Sequence, residues 1–193
     1  MTSDGSNGWE AIAEGFIRHR VTSAAGATTV GVWARSFSPA DSILDLGCGS
    51  GIPISRVLLD AGLSVFGVEA SPTLAAEFHR NFPTAPIACE PVQESALFTR
   101  SFEGVVAWGL MFLLSEADQR TVIAKIAKIL KPGGRFLFTA PWQAFAWPDA
   151  STGRYSVSLG HDAYARALEI AGLRLVAEHD DESSNHYYEA LRP

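Results

Sequence analysis

The run Ile43-Leu44-Asp45-Leu46-Gly47-Cys48-Gly49-Ser50-Gly51 constrains this chain more than any other stretch. It reads as a buried strand that breaks into a glycine loop and then opens a helix. Asp45, among Ile43, Leu44 and Leu46, falls near the carboxyl end of that strand, where open α/β sheets place their ligands. Glycines at alternate positions permit positive φ and let a ligand lie against bare backbone. Pro53 suits the first turn of the helix that follows, where a missing N–H costs little.

A dinucleotide fingerprint, G-x-G-x-x-G, requires its third glycine at position 52, which is Ile52. The pattern is instead G-x-G-x-G. Together with Asp45 it resembles motif I of the class I S-adenosylmethionine-dependent methyltransferases. A second stretch, Val65-Phe66-Gly67-Val68-Glu69-Ala70-Ser71, is an apolar run ending in an acid at the tip of the next parallel strand. A carboxylate there can accept hydrogen bonds from both hydroxyls of an adenosine ribose, and the resemblance implies that role for Glu69. The same residues also read as the entry to a helix beginning near Pro72, with Ser71 as N-cap.

With 193 residues, 47% hydrophobic and 19% charged, the chain can bury a substantial core. The expectation is a single class I methyltransferase domain over 1–193, with N-terminal helices in 8–37 preceding the sheet. No apolar run approaches the roughly 18 residues of a membrane span, and the polar start lacks the regions of a signal peptide, so a cytoplasmic location is expected. Cys48 and Cys89 offer neither a disulfide framework nor a C-x-x-C pattern, and no metal is expected. The formal charge of −6 and the absence of a long Lys/Arg run argue against a large phosphate-binding face. A small-molecule acceptor is therefore favoured over nucleic acid, no membrane partner is expected, and the oligomeric state stays open.

Trp9, Ile12, Ala13, Phe16 and Ile17 recur at helical spacing over 9–20, and a second helix is expected over 28–37. Strands follow near 42–46, 64–69, 85–89, 104–108 and 134–139, alternating with helices near 53–61, 72–80 and 116–130. That alternation predicts a parallel sheet with helices on both faces. Pro132-Gly133-Gly134 marks a turn before the apolar run Phe136-Leu137-Phe138. A last helix near 161–171 and strands near 173–179 and 186–191 flank a polar turn containing Asp181, Glu182, Ser183, Ser184 and Asn185. The expected class is α/β, a Rossmann-like doubly wound seven-stranded sheet, mostly parallel with a C-terminal antiparallel hairpin; the resemblance, which runs from Ile43 to Pro193, implies that hairpin.

The resemblance also implies S-adenosyl-L-methionine as cofactor and S-adenosyl-L-homocysteine as product. It places Asp45, Gly47, Cys48, Gly49, Ser50 and Gly51 around the methionine moiety, whose ammonium favours carboxylate and carbonyl acceptors. Glu69 falls at the ribose, with Ala70, Ser71 and Leu74 beside adenine. Pro91, Val92 and Gln93 fall at the adenine edge, where Gln93 can donate and accept. Trp108 and Gly109 follow the fourth strand, where a small residue lets the methionine chain pass; Trp108 reads equally as a core aromatic. Arg20 or Arg18 on the first helix can fold back as a cation for the cofactor carboxylate, and a solvated helix end explains the same residues.

A sulfonium methyl is already activated, so transfer mainly requires alignment, and a general base is needed only for some acceptors. Where many relatives carry a histidine pair, this chain has Met111-Phe112-Leu113-Leu114. Trp108-Gly109 and Ala140-Pro141-Trp142 stand where metal-dependent relatives have acids, so no magnesium site is expected. The N/D-P-P-Y/W signature and the Pro-Cys pair of nucleic-acid base methylation are both missing. The segment 141–160, with Trp142, Phe145, Trp147 and Tyr155, is long for a loop and reads as a lid or acceptor wall, or as aromatics packed on the domain body. Trp142, His186 and Tyr188 are the candidate acceptor contacts, with His161 and Tyr187 as further polar groups; strand alternation turns only one of His186 and Tyr187 inward. A non-catalytic S-adenosylmethionine-binding subunit or sensor is the alternative. Ile52 and the terminal hairpin count against a nicotinamide-dependent oxidoreductase.

Overall fold

Strand β1 (Ser42–Leu46) is buried along its whole length, because it has a parallel neighbour on each side and helices on both faces. The computed structural model describes residues 5–181 and 183–193; the first four residues and Glu182 of the polar turn lie outside the described residues. The other strands are β2 (Ser64–Glu69), β3 (Ile87–Cys89), β4 (Phe102–Ala107), β5 (Leu130–Thr139), β6 (Phe145–Pro148), β7 (Tyr155–Ser158), β8 (Arg174–Asp180) and β9 (His186–Leu191). The helices are α1 (Trp9–Arg20), α2 (Ala27–Ala34), α3 (Ile54–Asp60), α4 (Pro72–Asn81), α5 (Glu116–Ile129) and α6 (His161–Ile170). The main sheet has seven strands in the order β3-β2-β1-β4-β5-β9-β8, and β6 with β7 forms a separate ribbon. All pairings from β3 to β5 are parallel, whereas β9 runs antiparallel to both β5 and β8.

The side-chain period of two sorts the core into two layers. Ile43, Val65, Val106, Leu137 and Tyr187 face α2, α3 and α4 through Val30, Trp33, Ile54, Leu58 and Phe78. Leu44, Val105, Phe136, Phe138 and Tyr188 face α5 and α6 through Val122, Ile123, Ile126, Tyr164 and Leu168. From β1 the chain winds outward to β2 and β3, then returns on the other side to β4. The crevice above the carboxyl ends of β1 and β4 is thus a topological switch point, where doubly wound sheets bind ligands.

Several expectations shift in detail. The second helix ends at Ala34 rather than 37. The Pro-Gly-Gly turn lies within β5, where pairing jumps from Phe102↔Leu130 to Gly104↔Arg135; Gly133 takes φ +78°. The segment read as a long loop carries the β6–β7 hairpin, paired from Phe145↔Ser158 to Pro148↔Tyr155. Its connection is fixed by the Asp149 carboxylate, which accepts from the Ser151 and Thr152 N–H groups at 3.0 and 2.8 Å, an Asx turn that sequence spacing alone left unread. Among the described residues no helix is long and apolar enough to cross a membrane.

Candidate functional site

Backbone hydrogen bonds set the start of the glycine loop. Gly47 and Cys48 donate to the Val68 carbonyl at 2.8 and 3.2 Å, and Gly51 donates to Cys48 O at 2.8 Å. Gly47, Gly49 and Gly51 all take positive φ, +65°, +56° and +78°, the region where a Cβ clashes with the following carbonyl. Gly51 is also a packing site, since a Cβ there would lie 2.3 Å from the Phe82 ring.

Two buried carboxylates flank this loop. Glu69, 7% exposed, accepts the Gly49 N–H through Oε2 and the Ser71 N–H through Oε1, both at 2.8 Å. Burial raises its pKa, and the bonds from Ser71 and Gly49 oppose the rise. Each ionised oxygen offers two lone pairs, so each keeps acceptor capacity beyond its backbone bond. Asp45, 1% exposed, accepts from Ser55 Oγ at 2.5 Å. Burial pushes it up to about 7; the Ser55 bond lowers it, the Glu69 charge raises it and Arg20 lowers it.

Helix α1 covers the crevice from above. Glu10 reaches across to the start of α4: its carboxylate accepts from Ser71 Oγ, from the Thr73 N–H at 3.1 Å and from Thr73 Oγ1 at 2.7 Å. A negative charge at a helix N-terminus is favourable, so this contact fastens α1 to the start of α4. At the other end of α1, the Arg20 guanidinium lies 4.5 Å over the Trp108 ring. Trp108 Nε1 donates to Tyr187 Oη at 2.8 Å, and Tyr187 Oη donates to Asp181 Oδ2 at 3.0 Å. Gly109, at φ +72° with nothing within 4 Å of an added Cβ, leaves bare backbone; its N–H donates to Thr139 Oγ1 at 2.8 Å.

These elements enclose a cavity of ≈ 270 Å³. Of the residues expected around a cofactor, Arg20, Asp45, Gly47, Cys48, Gly49, Glu69, Ala70, Leu74, Pro91, Val92, Gln93, Trp108 and Gly109 line it. Ser50, Gly51 and Ser71 do not, although all three are buried. Ser50 O accepts from Asn81 Nδ2 at 3.0 Å, Gly51 packs on Phe82, and Ser71 caps α4 by accepting the Leu74 N–H at 3.2 Å. Phe16, Leu110, Phe112, Asp149 and Asn185 also line the cavity. Leu110 directly follows Gly109 after the fourth strand; nothing in the spacing of the other four announces them, because each arrives from an element whose position depends on the whole fold.

The cavity is acidic. Asp45, Glu69, Glu90 and Asp149 supply carboxylates to its lining and Arg20 the lone Lys or Arg side chain. A bound cation finds complementary charge there, whereas a pyrophosphate would face mostly repulsion. Glycine backbone, an acid with spare lone pairs and an apolar wall of Leu74 and Val92 fit an adenosyl ligand carrying a sulfonium and an ammonium.

Beyond Phe112 and Asn185 opens a second cleft of ≈ 670 Å³, lined also by Thr139, Ala140, Pro141, Trp142, Gln143, Trp147, Asp180, Ser184 and His186. Trp142 and His186, two of the expected acceptor contacts, meet here. Tyr188 does not: it is fully buried, stacked 4.9 Å from Phe138 and packed on Tyr164. The alternation that puts His186 and Tyr188 on one face is correct, but helix α6 covers the inner end of that face. Among the described residues, no group of three or more His, Cys, Asp or Glu could hold a metal ion.

Residues 43–134 match the model of a family described as "Methyltransferase domain". A tRNA U34 carboxymethyltransferase from Hahella chejuensis is 30% identical over 100 residues, a match spanning 49% of this chain and 30% of that protein. Among solved structures, an S-adenosylmethionine-bound amino pentose methyltransferase from Micromonospora echinaspora is 18% identical with a TM-score of 0.73, covering 94% of this chain and 97% of that one. A Burkholderia thailandensis 1,6-didemethyltoxoflavin-N1-methyltransferase is 19% identical with a TM-score of 0.72, covering 94% and 87%. These structures share the seven-stranded, mostly parallel fold.

Proposed function

We propose that this chain, a class I S-adenosylmethionine-dependent methyltransferase by family and fold, transfers a methyl group from S-adenosylmethionine to a small-molecule acceptor and releases S-adenosylhomocysteine. The observation that carries this reading is the shared wall of the two cavities: Phe112 and Asn185 line both. A donor in the inner cavity and an acceptor in the outer cleft would meet there without either crossing solvent.

When bound, S-adenosylmethionine supplies a methyl group already activated on a cationic sulfur, so the protein's task is alignment and exclusion of water. Glu69 receives the ribose hydroxyls on the lone pairs its backbone bonds leave free. Gly47, Gly49 and Gly109 present backbone to the methionine chain, Asp45 faces its ammonium and Arg20 its carboxylate. Leu74 and Val92 wall the adenine, with Gln93 at its edge. Trp142 and His186 border the acceptor.

A polyanionic acceptor such as RNA is disfavoured, because Arg20 is the only Lys or Arg lining either cavity and phosphate recognition depends on such side chains. A single domain acting in the cytoplasm fits this reading.

Calorimetric titration with S-adenosylmethionine and S-adenosylhomocysteine, with NAD as control ligand, tests the donor site. Micromolar binding of the adenosyl ligands alone supports it; retention of NAD without them refutes it. Label transfer from methyl-tritiated S-adenosylmethionine to small acceptors tests the reaction, and binding without turnover over a broad panel favours a sensor.

A further inference from the structure

The outer cleft has a chemical character of its own. Phe112, Trp142 and Trp147 supply aromatic surface, and Asp180 supplies a carboxylate, with no Lys or Arg among the lining residues. Trp142 is 53% exposed, an apolar surface left open to solvent at the mouth of a cavity. An anionic acceptor would find no charged partner here except an imidazolium. An ammonium would find both a carboxylate and aromatic faces, the combination that attracts cations.

Asp180, its side chain 69% exposed, has one oxygen tied to His186. His186 Nδ1 lies 2.7 Å from Asp180 Oδ1 and its Nε2 lies 3.3 Å from Glu178 Oε1. The same Glu178 oxygen lies 2.8 Å from His161 Nδ1, and Trp142 stacks on the His161 ring at 5.8 Å and 24°. Both nitrogens of His186 are therefore turned to carboxylates, and the ring has no nitrogen left to aim at an acceptor. Its geometry suits it to orient Asp180, not to serve as a base. Among the described residues the second Asp180 oxygen, Oδ2, takes no hydrogen bond, which leaves an acceptor available to a ligand.

We propose that the methyl acceptor is an amine borne on a flat, apolar body, with its nitrogen anchored by Asp180 and its body lying against Trp142, Trp147 and Phe112. This rests on the donor reading above. The ammonium gives one proton to water; the neutral nitrogen then forms the N–C bond as the C–S bond breaks, the sulfur keeps that electron pair, and the product leaves as a methylated ammonium. His186 is a positioning residue for Asp180.

The test uses the full chain saturated with S-adenosylhomocysteine, whose binding is measured first, and two probes of matched size, phenethylamine and 3-phenylpropionate, titrated at pH 7.5 by ligand-observed NMR. The amine should bind at least 10-fold more tightly than the carboxylate. Asp180→Asn should bring the two within about twofold while the S-adenosylhomocysteine dissociation constant stays unchanged. Equal binding of the two probes, preference for the carboxylate, or binding of neither in wild type overturns the proposal; so does an amine preference that survives Asp180→Asn. Failure of S-adenosylhomocysteine to bind is a separate result, which removes the donor reading and this one with it.

Discussion

Glu69 accepts the Gly49 N–H through Oε2 at 2.8 Å, tying the tip of β2 to the glycine loop that follows β1. The other oxygen holds the Ser71 N–H at the entry to α4. One side chain thus braces two loops on either side of the crevice and still presents lone pairs to a ligand. The two sequence readings of this acid, ribose ligand and helix-entry residue, are compatible because a carboxylate has more acceptor sites than either role uses.

Replacing Glu69 with Gln keeps one carbonyl acceptor and turns the other into a donor facing an N–H. Replacing it with Ala removes both. The expected loss of S-adenosylhomocysteine affinity for Glu69→Ala is about 1–3 kcal/mol, with Glu69→Gln intermediate. Calorimetry on variants whose folding is verified by circular dichroism measures this, and an unchanged dissociation constant for Glu69→Ala removes the ribose role.

Glu10 fastens the first turn of α1 to the start of α4, through Ser71 and Thr73. Glu10→Ala should weaken S-adenosylhomocysteine binding by about tenfold, equivalent to about 1.4 kcal/mol, while the main core stays intact. Limited proteolysis should then cut within residues 9–20 faster than in wild type. Equal affinity and equal protection would show that α1 stays down without this contact.

Burial pushes Asp45 up to about 7 from its ordinary value of 3.8. The folded state of the ligand-free protein therefore holds this proton more tightly than the unfolded state, so stability falls as pH rises from about 4 to about 7. Asp45→Asn should flatten that part of the curve. S-adenosylmethionine binding should instead strengthen as pH rises through about 7, since the ammonium requires the ionised form. Melting temperature and affinity measured from pH 5 to 8 check both slopes.

Tyr188 is fully buried and its Oη has no hydrogen-bond partner among the described residues. An unsatisfied buried hydroxyl costs about 1–3 kcal/mol, so Tyr188→Phe should leave stability unchanged or raise it by about 1 kcal/mol, read from chemical denaturation. If Tyr188 instead touched the acceptor, the substitution would lower turnover at unchanged stability.

Two of the loop glycines should fail differently. Gly51→Ala puts a methyl 2.3 Å from the Phe82 ring at a positive φ, and should destabilise the fold by about 2 kcal/mol or more. At Gly49 the added methyl meets Phe16 only at 3.5 Å, leaving a conformational cost of about 1–2 kcal/mol. Gly49→Ala should therefore fold, and its deficit should appear in S-adenosylhomocysteine affinity. Paired denaturation and binding curves separate the two.

The inner cavity was legible because much of its lining comes from short contiguous runs. Residues 43–51 and 65–71 each contain a strand end and the loop after it, so local pattern and cavity lining largely coincide. Ser50, Gly51 and Ser71 belong to those same runs yet lie outside the cavity lining, because Ser50 O is taken by Asn81, Gly51 packs on Phe82 and Ser71 caps α4. The outer cleft was hard to read for the opposite reason. His186 and Asp180 come from adjacent strands, Trp142 from the segment after β5 and Phe112 from the turn after β4, and no linear spacing relates them.

The sequence alone determined the alternation of strands and helices, the placement of the glycine loop at the first strand end and the acid at the second, and hence the fold class. Hydrophobic period and glycine conformation are local properties that neighbouring residues already express. Only the tertiary structure decided that β9 inserts between β5 and β8, that Glu10 crosses to α4 and that Tyr188 is core while His186 borders a cleft. Those outcomes depend on which faces helices cover and on contacts between residues far apart in the chain, where packing rather than propensity sets the result.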